Sequence, residues 1–266
     1  MSQEKPLEIM SFGGGVQTVA MALMALNGDL PMPDHAIFSD PGWEVEDTYA
    51  YLSWFIPYCE ERGMKFHVVE NGDIRKLTVT PGKRWVTMPF FSKNEDGRKG
   101  MLMRQCTSEF KIVPVYKTVR KVMGLKPRQR TKNPCNLWLG ISIDEVTRMK
   151  PSRVGYVTNA FPFIDNNISR ANCLAYIDKC GLPLPPKSAC IGCPYHSDIF
   201  WQNLKNNRPK EFEDACDFDR NIRHIKRKGL QNEMFLHSLM KPLSEIDFTQ
   251  GQVDLFENEC EGYCGL

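Results

Sequence analysis

No run in the chain approaches the ~18 apolar residues that a membrane span requires, and the first dozen residues, MSQEKPLEIMSF, hold no apolar stretch of signal-peptide length. These two absences lead us to expect a cytoplasmic protein without membrane contact. Internal repeats and low-complexity tracts are also missing, which argues against a solenoid. Charge of one sign is scarce overall: 34 Lys and Arg against 32 Asp and Glu leave a formal net charge of +2, which selects neither for nor against nucleic acid. Locally the charge is less even. Lys117, Arg120, Lys121, Lys126, Arg128, Arg130 and Lys132 fall in one stretch without an acid, and Arg220, Arg223, His224, Lys226, Arg227 and Lys228 form a second group. Such groups are more often solvated helix faces than anion sites.

What is present is ordinary for a globular enzyme. With 266 residues, 42% of them hydrophobic, the chain can bury a full core as one large domain or one domain with a smaller appendage. Ten cysteines without a secretory signal call for something other than a disulfide framework. Cys59, Cys135, Cys173 and Cys216 sit in apolar or mixed settings that suit a core. Cys106, Cys180, Cys190, Cys193, Cys260 and Cys264 sit beside Gly, Pro or polar residues, where loops put ligands and nucleophiles.

Residues 7–12 read as a buried strand that ends in three glycines, and residues 16–26 as an apolar helix. A strand at 36–39, a helix at 48–62, and strands at 65–69 and 137–141 follow. Strands alternating with helices imply an α/β fold with an open, mostly parallel sheet and helices on both faces. Ligands then gather at the carboxyl ends of the strands. Residues 71–99 read as an irregular excursion, a candidate lid. After about residue 151 the alternation is expected to stop, residues 183–194 form a Pro/Cys loop, and the last ~70 residues have mainly helical spacing. The expected division is a nucleotide-binding α/β domain over 1–170 and a Cys-rich, helical part over 171–266.

Five constellations carry chemistry. Ser11-Phe12-Gly13-Gly14-Gly15-Val16-Gln17-Thr18 joins the first strand to its helix, where glycines let backbone N–H groups approach an anion at a helix N-terminus. It lacks the Gly-Lys-Ser/Thr of a Walker loop and the Gly-x-Gly-x-x-Gly of a dinucleotide fold. Asp40-Pro41-Gly42-Trp43-Glu44-Val45-Glu46-Asp47-Thr48-Tyr49 follows the second strand. In Arg104-Gln105-Cys106-Thr107-Ser108-Glu109-Phe110-Lys111, Lys111 suits a phosphate or sulfate as a point charge, and Arg104 can fork onto an oxyanion; a surface lysine on an amphipathic helix is the plain alternative. Gly140-Ile141-Ser142-Ile143-Asp144-Glu145-Val146-Thr147-Arg148 ends another strand. There Asp144 and Glu145 suit Mg2+ and Arg148 a phosphate, or Asp144 and Arg148 form an i,i+4 pair at a capped helix start. Last, Cys190-Ile191-Gly192-Cys193-Pro194, preceded by Cys180, is a Cys-x2-Cys turn that suits zinc, an iron–sulfur cluster or a redox pair.

Taken together, these segments resemble the PP-loop superfamily, an adenine nucleotide alpha hydrolase-like fold, and within it the phosphoadenylyl-sulfate (PAPS) reductase-like family. Gly13, Gly14, Gly15, Gln17 and Thr18 stand where that family has Ser-Gly-Gly-x-Asp-Ser. Asp40 stands in its strand-2 element, and Gln105-Cys106 with Lys111 in its Cys-Cys segment. The resemblance implies an enzyme that binds ATP or an adenylyl nucleotide through Ser11, Gly13, Gly14, Gly15, Gln17, Thr18, Asp40, Arg104, Gly140, Asp144 and Arg148, with Mg2+. It also implies sulfur transfer, or thio-modification of a nucleotide or nucleic acid, with Lys111, Asp40 and Cys264 in catalytic roles. A [4Fe-4S] cluster would take Cys106, Cys190 and Cys193, with Cys180 as the nearest fourth ligand, and zinc is the alternative. Two other readings remain: a DNA-acting protein that reuses the fold, with DNA or tRNA as partner, and a non-catalytic nucleotide-binding module.

The C-terminal Cys264-Gly265-Leu266 resembles the reductases' mobile Cys-bearing tail, although a frayed end or a Cys-x3-Cys ligand pair with Cys260 suits the same residues. Deletion of residues 263–266 separates these roles. Turnover lost at full metal content is expected for a nucleophilic Cys264, whereas loss of metal would mark a ligand and no change in either an idle tail.

Overall fold

The computed structural model describes residues 5–80, 87–94, 97–225 and 232–250. From the N-terminus run β1 (Glu8–Phe12), α1 (Val16–Leu26), β2 (His35–Asp40), α2 (Glu46–Glu60), β3 (Phe66–Glu70) and α3 (Ile74–Val79). Two short strands follow, β4 (Phe91–Lys93) and β5 (Lys99–Met101), then a π-helical turn (Thr107–Ile112) that leads into α4 (Val113–Val122). The sheet resumes with β6 (Cys135–Trp138) and β7 (Val157–Ala160), with α5 (Pro162–Asp165) and α6 (Arg170–Lys179) after them. The chain closes on α7 (Asp198–Asn207), α8 (Pro209–Ile222) and β8 (Glu233–Phe235).

The main sheet has the order β3-β2-β1-β6-β7 with every neighbouring pair parallel. Alternate residues sort to opposite faces. Met10, Phe12, Ala36, Phe38 and Trp138 pack with α1, α2 and α6, while Ile9, Ile37, Cys135 and Leu137 pack with Val115 and Val119 of α4. Both faces are thus covered, which is why the strands read as nearly continuous apolar runs. The open parallel α/β sheet expected from the sequence is the architecture observed. Because β2 and β6 flank β1 on opposite sides, the strand order reverses at β1, and a crevice opens at the carboxyl ends there.

Two expectations need correction. The alternation does not stop near residue 151, because β7 adds a fifth parallel strand at the sheet's edge. Its sequence, Val157-Thr158-Asn159-Ala160, has only two apolar residues because an edge strand has one neighbour and less surface to bury. Residues 71–99 are not uniformly irregular. Asp73 caps α3 by accepting from the Lys76 N–H at 3.1 Å, and β4 pairs antiparallel with β5. The C-terminal part is mainly helical as expected, and its short β8 pairs antiparallel with β4, giving a second sheet of order β5-β4-β8. Three-residue strands are too short to display a period.

A second core joins residues from both sides of residue 170. Trp43, Ile74, Phe90 and Phe110 pack with Trp201, Phe212, Phe218, Leu236 and Leu243. Buried polar groups lock it. Asp219 pairs with Arg223 one turn on and accepts from the backbone N–H of Leu236 at 2.9 Å and of Leu243 at 3.1 Å. Asp198 and His237 meet at 2.8 Å, and the Leu239 N–H donates to His237 Nδ1, leaving Nε2 as the donor to the carboxylate. Asp219→Ala strands a buried guanidinium and two backbone donors, so unfolding in urea is expected to show a loss of about 3–5 kcal/mol.

Candidate functional site

The first part of the site is the glycine loop at the end of β1. Gly14 has φ +76°, a left-handed conformation that costs an L side chain about 1–2 kcal/mol, and Leu52 and Phe38 line the space its Cβ would enter. Gly15 precedes α1 with no side-chain cap, so the first-turn N–H groups of the helix project from the strand's carboxyl end. Thr18 Oγ1 ties the loop together, accepting from the Gly13 N–H and donating to the Gly15 carbonyl, both at 3.2 Å. The hydroxyls of Ser11 and Thr48 are buried and have no hydrogen-bond partner among the described residues. Thr48 lies one helical turn before Leu52, on the side of α2 that touches Gly14. The uncapped helix start, with its first-turn N–H groups, is a place suited to a polar ligand.

From the other side of β1, the loop after β6 closes on this cradle. A Cβ on Gly140 would stand 2.8 Å from Thr18 Cγ2, so only glycine allows that approach. Gln17 donates to Glu145 Oε2 at 3.3 Å, and Glu145 is paired with Arg148. Arg148 therefore pairs three residues back, not with Asp144. Asp144 is exposed and accepts from the Arg170 N–H at the start of α6, which holds its carboxyl below the usual carboxylate range. Of the two acids, Glu145 is the one held against the glycine loop.

The second part is built after β2. Asp40 Oδ1 accepts from the Gly42 N–H at 2.7 Å and from the Tyr49 hydroxyl at 2.9 Å, closing a tight turn; burial raises the Tyr49 phenol, so it remains a donor. Beyond the turn, the cysteine loop docks as a strand-like partner. Glu44 and Cys190 form an antiparallel bridge, the Ile191 N–H donates to the Trp43 carbonyl at 2.8 Å, and the Val45 N–H to that of Ala189 at 3.3 Å. Gly192 lies flat on Trp43: a Cβ there would fall 2.2 Å from Cη2 of the indole. Trp43 cannot yield, since its Nε1 donates to Asp214 at 2.7 Å and its ring packs edge-on against Phe218.

The π-helical turn supplies the third wall. Pro114 has no N–H to offer the Phe110 carbonyl, and the Val113 N–H bonds Ser108 five residues back. The two carbonyls left over are filled from strand ends. Ser39 Oγ donates to that of Phe110 at 2.7 Å, and Asn71 Nδ2 to that of Glu109 at 2.8 Å. The turn so anchored presents Cys106 at its start and Lys111 near its end.

Arg104, Cys106, Lys111, Cys190 and Cys193 line one cavity, together with the apolar side walls Pro41, Ile74, Met88, Pro89 and Phe110. Lys111 is mostly buried, not a surface lysine, and its ammonium is 3.3 Å from Glu44 Oε1. Arg104 also lies over the Tyr195 ring. Cys180 is elsewhere. It ends α6, where its sulfur accepts from Asn27 Nδ2 at 3.6 Å just past the C-terminus of α1, at the opposite end of that helix from the glycine loop. Cys264, like Cys260, lies outside the described residues. Cys59, Cys135, Cys173 and Cys216 are buried, and burial pushes the Cys59 thiol up to about 12 and those of Cys135 and Cys216 up to about 11. Among the described residues no three His, Cys, Asp or Glu side chains converge in a metal-holding arrangement.

Sequence reasoning passed over Glu44 and Ser188. Glu44 lay inside a quoted motif, but nothing local marks an acid in a turn as buried. Its partners are 67 and 144 residues away.

No family model matches the chain, and no curated protein matches it. Among solved structures it is similar to the phosphoadenylyl-sulfate (PAPS) reductase from Candida auris in its phosphate complex, at 14% identity, over 67% of this chain and 75% of that one, with a TM-score of 0.43. It is also similar to the U34-tRNA thiolase NcsA from Methanococcus maripaludis with its [4Fe-4S] cluster, at 17% identity, over 92% of this chain and 79% of that one, with a TM-score of 0.44.

The seat of the cysteine loop is directly testable. Gly192→Ala forces the loop off Trp43 and is expected to cost about 1–3 kcal/mol by thermal or urea unfolding. It should also raise the reactivity of Cys190 and Cys193 toward alkylating reagents, while the four core thiols stay unreactive.

Proposed function

We propose that this chain is a PP-loop enzyme of the PAPS-reductase-like kind, which binds ATP or an adenylyl nucleotide and transfers sulfur to, or thio-modifies, a nucleotide or nucleic acid. The observation that carries this reading is the adjacency of the two half-sites. The glycine cradle follows β1 and the cysteine cavity follows β2. These strands are parallel neighbours, about 4.8 Å apart, so both sites open on the same edge of the sheet. A nucleotide phosphate on the α1 N-terminus would be stabilised by backbone N–H groups and the helix dipole. Glu145, held by Gln17, is the carboxylate best situated for Mg2+. An adenylating reaction attaches AMP to an oxygen and releases pyrophosphate, and the cradle's preorganised donors serve the charge that develops.

By residue type the cavity lining suits a soft metal centre, whose binding would have to draw together three thiols that do not converge in the described structure. Cys106, Cys190 and Cys193 offer thiolates, while Lys111 and Arg104 compensate negative charge. These residues would hold a [4Fe-4S] cluster, with zinc as the alternative, and such a centre supplies a soft binding point for sulfur. Lys111 and Arg104 also suit an anionic substrate group. Asp40, engaged by Gly42 and Tyr49, shapes the turn that carries the cysteine loop.

A nucleic acid is favoured as acceptor by one further feature. Lys117, Lys121, Lys126, Arg128, Arg130 and Lys132 are all exposed. A DNA- or tRNA-binding protein using this surface should show a steep fall of affinity with salt.

Calorimetry with ATP and an assay of pyrophosphate release test the central reading. Wild type is expected to bind, and Gly14→Val, which puts a β-branched residue at φ +76°, to lose at least about tenfold in affinity while remaining folded. Unchanged affinity in the folded variant would remove the loop from the site.

A further inference from the structure

We propose that the β4–β5 hairpin and Tyr195 form a docking platform for an unpaired stretch of nucleic acid, which presents one extruded base to the cysteine cavity. The proposal rests on the nucleic-acid acceptor reading above and narrows it to a single-stranded or looped substrate.

The cavity sets the requirement. Cys190 and Cys193, which line it, are only 9% and 8% exposed. A base inside a duplex cannot bring its edge to thiols enclosed to that degree, so the base has to leave its stack. The space holds about 470 Å3 including its mouth, within the roughly 300–1,000 Å3 of small-ligand sites. Its side walls, Pro41, Ile74, Met88, Pro89 and Phe110, are apolar and suit the faces of a planar base.

Two arms leave the cavity and meet outside it. Arg104 stands two residues before Cys106, and Tyr195 two residues after Cys193. The Arg104 guanidinium lies 5.0 Å from the centre of the Tyr195 ring, and the Tyr195 hydroxyl reaches Met101 Sδ at 3.6 Å. Tyrosine rings and guanidinium planes are the surfaces on which unstacked bases are held. Beside them Met101 is 41% and Met103 76% exposed, and thioethers make favourable contacts with ring systems. Thr87 fixes this edge of the hairpin. Its hydroxyl donates to the Met103 carbonyl, and its own carbonyl accepts from the Gln105 N–H at 3.0 Å.

Charge continues along the same edge. Lys93 and Lys99 stand directly opposite each other across the hairpin, both exposed, with Arg98 exposed beside them. Like charges so placed cost stability. Glu233 faces Lys93 from β8, but Lys99 lies on the edge strand, whose one neighbour is β4. Phosphates along the edge would offset the repulsion. At the wall formed by the π-helical turn, Lys117 of α4 donates to Asn71, which also holds the Glu109 carbonyl. Both basic stretches are therefore continuous with cavity walls, and a backbone crossing the mouth would meet cations on either side of the extruded base.

Anisotropy measures binding of wild type to labelled oligothymidylate, oligouridylate, a hairpin duplex, and an abasic strand of the same length. At least one of the two intact single strands is expected to bind at least about fivefold tighter than the duplex and the abasic strand. A preference between the two identifies DNA or RNA as the source. Tyr195→Ala should abolish the advantage over the abasic strand, and Tyr195→Phe should keep it. 2-Aminopurine placed in the strand should lose fluorescence on wild type and less on Tyr195→Ala. Alanine at both Lys93 and Lys99 should lower the slope of log affinity against log salt by about 1.4, at about 0.7 per phosphate contact. Equal affinity for intact and abasic strands, or tighter binding of the duplex, would overturn the platform and leave the nucleic-acid reading standing. That comparison needs wild type alone, so a variant that does not fold cannot obscure it. Full affinity for the intact strands in a folded Tyr195→Ala would also overturn the platform. Wild type that binds none of the four refutes the acceptor reading, and the platform with it.

Discussion

The short antiparallel pairing between the loop after β2 and the cysteine loop is the contact on which the candidate site depends. Glu44 meets Cys190, Trp43 receives the Ile191 N–H, and Gly192 lies against the indole with no room for a methyl group. Two irregular segments 146 residues apart in the chain are thereby made one rigid surface. Trp43 is fixed from behind by Asp214 and Phe218 of α8, so the seat is part of the second core. Packing energy in that core therefore sets the precision with which the cysteines face the cavity.

The same economy runs through the π-helical turn. A proline at 114 removes one helix hydrogen bond, and the wider turn before it frees two carbonyls that would be expensive to bury unpaired. Ser39 and Asn71, at the ends of β2 and β3, answer both. The irregularity costs little because the sheet edge satisfies it, and its result is to bring Lys111 inward to Glu44. A regular helix through the same residues would rotate Lys111 away by the difference between the two helix types.

The glycine cradle owes its position to topology. β1 is the strand with its two neighbours on opposite sides in chain order, so the loops after β1 and β6 diverge to opposite faces and leave a crevice between them. Gly140 lets the β6 loop return to touch Thr18, and Glu145 is held there by Gln17. A glutamine where the resembled family has an acid thus goes with an acid brought in from the turn after β6.

Much of this was legible in the sequence. The apolar run 16–26, the alternating strands and helices, and the open parallel sheet follow from periodicity and glycine placement, because those signals are local and a buried strand has few other ways to read. The glycine loop, Lys111 and the Cys-x2-Cys turn were visible as residue types at telling spacings. Tertiary structure alone decided the rest. β7 and β8 are too short or too polar to announce themselves, and they exist because a neighbour pairs with them. Cys106 joins Cys190 and Cys193 at one cavity while Cys180 does not, since distance along the chain says nothing about which end of a helix a loop returns to. The burial of Glu44 depends on partners at 111, 188 and 190. An acid in a turn looks solvated until the fold surrounds it, and only long-range packing determines that this one is enclosed.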